Sequence, residues 1–188
     1  PSEEIQVKAV SRFPNSIRFI KNPSEKVKLA AVRNNGHAIR HIENPSVRVQ
    51  EAAIRETSGS IVDIKNPSVD MIIYALQQGC SINTIQLHFP AFLTERVKLA
   101  AIETSPAYSM QFLKNPSEKL QLLAVSKSWY SIRYIENPNE KVQLASVNAN
   151  PESIEFIENP TEKVQLASVN ANPESIKFIK NPTEEVQL

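Results

Sequence analysis

The chain has 188 residues, 41% of them hydrophobic, a net charge of +1 and a single cysteine, Cys80, so it can form neither a disulfide framework nor a multi-cysteine metal centre by itself. Three glycines are too few for most phosphate-cradling loops, and no apolar run approaches the roughly 20 residues that a bilayer crossing needs. These features predict an ordered protein of a reducing compartment, the cytoplasm by default, with no membrane segment, no cofactor and no metal.

The organising feature is a repeat. Asn-Pro recurs at 22, 44, 66, 115, 137, 159 and 181, spaced by 22 residues except for one break between Gln77 and Tyr108. Thirteen prolines at such regular places are punctuation. A period of this length predicts an all-α chain, an α-solenoid of about eight helix-pair repeats forming a superhelix, with residues 1–188 as a single array. Because the chain begins without Met and stops partway through a repeat, the array is expected to continue beyond it.

In each repeat the motif Asn-Pro-Ser/Thr-Glu, as at Asn22 to Glu25, predicts a helix start. Asn is expected to cap it, Pro to occupy the first turn and Glu to reach back to the cap. The first helix is apolar on two opposed sides, as Val164, Ala167 and Ser168 are against Leu166 and Val169, which suits a helix sandwiched between neighbours. A small-residue column, Ala9, Ala31, Ala53, Ala75, Ala101, Ala124, Ser146 and Ser168, predicts close helix approach. The second segment, ending in a pattern such as Ile176-Lys177-Phe178-Ile179, predicts a lid of about two turns with 3₁₀ character. A glutamine column from Gln6 to Gln187 is expected to bridge structurally.

The early repeats are basic. Residues 1–60 hold ten Lys/Arg against six Asp/Glu, while 137–188 hold four against eight. Lys26 with Arg33 and Arg48 with Arg55, with Lys28 and Arg40 nearby, define a stripe that a polyanion backbone can follow, so nucleic-acid binding is the second functional reading. His37 and His41 are four residues apart, but His41 falls where other copies carry a packed aromatic, and no metal site is predicted. In the irregular middle, Gly79-Cys80 marks a lost residue and Leu87 to Ala91 an insertion. Cys80 has no neighbouring His or basic pair, and nothing resembles a nucleophile elbow or a catalytic triad.

Further along, Ser128-Trp129-Tyr130 replaces the Asn-Pro-Glu that opens the second segment in other copies. Trp129 is the only tryptophan, and with Tyr108, Lys127, Tyr130 and Arg133 it defines a candidate partner-binding patch, since interfaces concentrate aromatics and arginine. The alternative is that Trp129 fills a packing gap.

The last repeats are nearly identical. Val-Gln-Leu-Ala-Ser-Val-Asn-Ala-Asn-Pro-Glu-Ser-Ile stands at 142–154 and again at 164–176. This unit resembles the leucine-rich variant repeat, a HEAT-like helix-pair family, and short helix-pair repeats of uncharacterised bacterial and phage proteins. The resemblance implies an α-solenoid and leaves activity open; the repeat here is shorter and lacks the cysteine cluster found beside some such arrays, so no cofactor follows from it. The primary expectation is a non-catalytic scaffold for a protein or peptide partner.

Overall fold

A computed structural model describes residues 1–187, and among these it is helical with no strand. Two element types alternate. The α-helices of the first half are α1 (Glu3–Arg12), α2 (Glu25–Asn34), α3 (Val47–Glu56), α4 (Val69–Gln77) and α5 (Ile82–His88). They are followed by α6 (Glu95–Thr104), α7 (Pro106–Phe112), α8 (Glu118–Lys127), α9 (Glu140–Ala149), α10 (Glu162–Ala171) and the short α11 (Glu184–Gln187). Between them lie six-residue 3₁₀ segments, Pro14–Phe19, Gly36–His41, Ser58–Asp63, Trp129–Tyr134, Pro151–Phe156 and Pro173–Phe178. Only the irregular middle departs: α5 and α7 are α-helical where other repeats are 3₁₀, and Pro90–Phe92 is a single added 3₁₀ turn.

The helix start differs from the expected one. Asn22, Asn44, Asn66, Asn115 and Asn137 take left-handed backbone, φ 46–52°, which only Asn, Asp and Gly adopt at little cost. Pro precedes the helix, and the cap is the next residue. Ser24, Ser46, Ser68, Ser117 and Asn139 accept a hydrogen bond from the backbone N–H three residues on, and the first helical position, one place after the cap, is Glu in α2, α8 and α9 and Val in α3 and α4. In these five copies the motif is thus a left-handed turn followed by a cap, and where Glu is present it is too early to reach back; Asn159 lacks the left-handed backbone, and Thr161 makes no side-chain cap bond.

Contacts divide the chain into two compact units, Pro1–Val97 and the residues from Lys98 onward. In the first, α1 packs on α2, α2 on α3 and α3 on α4, with each 3₁₀ segment laid on its helix and the next. Its core includes Val27, Val49, Ile54, Ile61, Ile72 and Ile85. The second has the same plan through α7, α8, α9 and α10, with Ile102, Leu120, Ile132, Val142, Val147 and Ile154 buried.

The small-residue column is buried from Ala31 to Ser168, whereas Ala9 is exposed on α1. A second small column was not apparent from the sequence. Ser60, Ser109, Ser131, Ser153 and Ser175 of the second segments are all buried, and Ser109 and Ser131 donate to the carbonyls of Ala101 and Ala124. Buried Ala38 takes that place in an early repeat, and Gly36 opens the same segment. A Cβ there would collide with the Ala53 carbonyl oxygen and meet the Thr57 Cβ at 2.9 Å, so the segment approaches α3 only because the side chain is missing.

The glutamine column is structural, as expected. Gln6, Gln50, Gln121, Gln143, Gln165 and Gln187 each donate from Nε2 to the carbonyl of the proline five residues earlier. Each amide ties a helix to its own entry turn. Gln165 goes further, accepting from the Thr183 backbone N–H at Oε1 and so reaching into the following repeat.

Candidate partner surface

The patch forms where Trp129–Tyr134 lies beside Pro151–Phe156. Trp129 stacks on Phe156 with ring centroids 6.3 Å apart and planes at 24°. Tyr130 meets Phe156 edge-on at 5.4 Å and Trp129 at 5.7 Å. Tyr134 adds a third edge contact to Tyr130 at 6.1 Å. The 3₁₀ geometry brings positions 130, 133 and 134 near one another on the surface, because three residues complete a turn.

Arg133 completes this group. Its guanidinium lies 5.5 Å from the Phe156 centroid and 5.7 Å from that of Tyr130, and its Nη1 donates to the Tyr130 hydroxyl at 2.5 Å. Trp129, Tyr130 and Phe156 are half-buried and Arg133 is exposed. Rings in this state keep apolar surface for a partner and lose little mobility on binding.

Of the predicted patch, Trp129, Tyr130 and Arg133 come together, and Phe156 and Tyr134 join them. Phe156 belongs to the next repeat, where it reads as an ordinary member of the aromatic column. Tyr108 instead meets Phe112, centroids 4.8 Å apart with the planes tilted at 54°, and Lys127 is an exposed side chain at the end of α8. Neither has a ring contact or ion pair with Trp129 or Tyr130.

A cavity of about 620 Å³ opens beside the aromatic group, lined among others by Arg133, Tyr134, Glu136, Gln143, Phe156 and Glu158. A smaller one of about 160 Å³ follows it in the next repeat, sharing Ile157, Glu158 and Asn159 and adding Gln165 and Phe178. The two are successive cells at the same place in the repeat. Gln143 is only 7% exposed, and its Oε1 has no hydrogen-bond partner, although Gln165 fills the same acceptor with the Thr183 N–H.

The basic residues of the other half are dispersed. Arg33, Arg48 and Arg55 line one hollow of about 350 Å³ together with Glu51 and Glu56. Arg55 donates to the Tyr74 hydroxyl at 3.3 Å, and Lys26 lies 4.0 Å from Glu3. Lys28 is half-buried on α2. Arg40 stands on a 3₁₀ segment and pairs with Asp63 at 3.2 Å. The continuous row of six cations is therefore three arginines at one hollow, with the others apart from it or already paired.

His37 is bound through Nδ1 to the same Asp63 oxygen at 2.6 Å. In a 3₁₀ helix four residues turn the chain by one and a third turns, which takes His41 off the face of His37. Among the described residues no three His, Cys, Asp or Glu side chains are grouped to hold a metal. Burial raises the Cys80 thiol above its ordinary value, the opposite of what a nucleophilic thiolate needs. No helix among the described residues is long and apolar enough to cross a membrane.

Comparison of the chain with protein-family models, with curated protein sequences and with solved structures finds no significant match.

Proposed function

We propose that this protein is a non-catalytic helical-repeat scaffold, a single α-solenoid related in style to leucine-rich variant and HEAT-like arrays, that binds a protein or peptide partner in the cytoplasm. The observation that carries this reading is the half-buried cluster of Trp129, Tyr130 and Phe156, capped by Arg133 and opening onto the largest of the cavities described above. Aromatic and arginine side chains beside a hollow have the anatomy of a binding hot spot. Repeats that bury their apolar faces against neighbours give such a cluster a rigid base.

The second reading, a nucleic-acid-binding array, draws support from the hollow of Arg33, Arg48 and Arg55, whose guanidinium groups make no ion pair among the described residues. The Glu51 and Glu56 carboxylates on the same hollow count against a polyanion track.

Affinity capture from host extract, with and without nuclease, tests the choice. Partners retained after nuclease and lost with Trp129→Ala support the scaffold. Capture that nuclease abolishes, with affinity falling steeply with salt and lost on replacing Arg33 and Arg48, supports nucleic acid and overturns the first reading.

A further inference from the structure

The larger cavity is lined by Phe156, the ring on which Trp129 stacks, and by Tyr134, Arg133 and two carboxylates. Glu136 and Glu158 line it, Glu155 stands in the adjoining cell, and all three are exposed and without an ion pair. This contrasts with Glu118 and Glu140 of the first helices, both engaged by a lysine and by the cap residue of the following repeat. From Tyr130 to Glu162 the sequence has six glutamates against two cations, Arg133 and Lys141. Lys141 is paired with Glu118, and Arg133 is held on the rings of Tyr130 and Phe156 and on the Tyr130 hydroxyl. Arg133 keeps its charge, so Glu136 and Glu158 outnumber the cations lining the cavity by one, and in the adjoining cell Lys180 stands against Glu155 and Glu158.

Gln143 fixes the shape of the wall: its Nε2 donates to the Pro138 carbonyl, and its Oε1 is closed to solvent behind the lining. Phe156 and Tyr134 supply apolar and π surface against which an alkyl stem can lie while its cationic head stays at the carboxylates.

Resting on the reading of this face as a partner surface, we infer that its occupant is a basic peptide segment that places a lysine or arginine side chain in the cavity between Phe156 and the carboxylates of Glu136 and Glu158. The second cell, bordered by Glu155, Glu158, Phe178 and the cation Lys180, receives a neighbouring, uncharged residue of the same segment.

The test is selection of a random nonapeptide phage library on the purified chain, followed by titration of the synthetic selected peptides against the emission of Trp129. Selected peptides should carry Lys or Arg at one fixed register, and replacing it with norleucine should weaken binding. The double variant Glu136→Gln, Glu158→Gln should weaken the basic peptide about three- to tenfold and leave the norleucine peptide unchanged, the range expected for exposed ion pairs. Because both carboxylates are exposed, this variant keeps the fold, which an unchanged thermal melt verifies. Peptides that lose binding with Trp129→Ala but carry no basic residue, or that ignore the double variant, overturn the inference and leave the partner surface standing. Selection that yields nothing sensitive to Trp129→Ala removes both.

Discussion

Glu140 reaches forward across one repeat to Thr161, whose hydroxyl donates to its Oε2 at 2.9 Å. Lys163 closes on the other oxygen at 3.3 Å. The arrangement recurs: Glu118 takes Asn139 and Lys141, both at 2.8 Å, and Glu3 takes the Ser24 hydroxyl with Lys26 nearby. Glu25 accepts from Ser46 in the same way. The carboxylate that a capping box would turn back on its own helix here clasps the cap of the following one. Where the motif keeps its Glu, as at Glu3, Glu25, Glu118 and Glu140, that residue serves the junction between repeats; α3 and α4 begin with Val47 and Val69 and have no such carboxylate.

This clasp predicts an acid-sensitive junction. Hydrogen bonds from Lys141 and Asn139 hold the Glu118 carboxyl below the usual carboxylate range, and those from Thr161 and Lys163 do so for Glu140. A carboxyl lowered by folding contributes stability that is present above its unfolded pKa and lost as pH falls through the folded value. Glu118→Gln with Glu140→Gln should therefore flatten the acid limb of the pH–stability profile below about pH 4. Denaturant titration across pH checks this; an unaltered limb means that these exposed contacts add nothing. Salt should shrink the difference.

The last junction should respond in the opposite sense. Glu185 occupies the place of Lys141 and Lys163, and a hydrogen bond with Glu185 raises Glu162 above the ordinary glutamate value. A raised carboxyl contributes stability below its unfolded pKa and loses it as pH climbs through the folded one. Amide exchange of Val186 and Gln187, corrected for intrinsic rates, should be better protected in mild acid than at neutrality. Glu185→Lys should restore the common pattern and remove that preference. Protection that stays independent of pH in the parent chain would refute this account.

Much of this was legible in the sequence, and the remainder has a physical reason. The period, the two element types and the buried small residues follow from residue spacing alone, because each repeats many times. The role of Asn22 and its equivalents was misread because Asn is favoured both as a cap and in left-handed backbone, and only the register of Ser24 decides between them. At the candidate surface, Trp129, Tyr130 and Arg133 stood out by departing from the motif. Phe156 did not, since it matches the motif and matters only because Trp129 lies on it.

Left-handed backbone at Asn137 predicts an ordering of substitutions. Asn137→Gly should keep the turn, whereas Asn137→Ala should cost about 1 kcal/mol, the penalty for a Cβ in that conformation. Chemical denaturation measures the difference. Equal stability for the two would mean that the turn does not depend on its left-handed residue.

Gly36 should tolerate no side chain. The Ala53 carbonyl oxygen that a Cβ would strike already accepts the Thr57 backbone N–H at 2.9 Å, so it cannot withdraw without loosening the end of α3. Gly36→Ala should cost about 1–3 kcal/mol by overpacking. Gly59, with open space around its Cβ position, is the matched control and should accept Ala readily. Thermal melts of the two variants decide the point.

The Trp129–Phe156 stack can be tested without knowing any partner. Phe156 is the ring on which both Trp129 and Tyr130 rest, so Phe156→Ala should open the indole to water and shift its emission to the red. With a single tryptophan in the chain, that shift has one source. Loss of the ring pairing should also cost about 0.5–1.5 kcal/mol beyond the area exposed. Phe178 holds the same place one repeat later and carries Lys177 on its face, with no aromatic ring against it among the described residues. Phe178→Ala should therefore leave the emission unchanged while trimming a comparable apolar side chain. If both variants shift the tryptophan equally, the indole is sensing general loosening of the repeats, and the aromatic cluster is not the local unit described here.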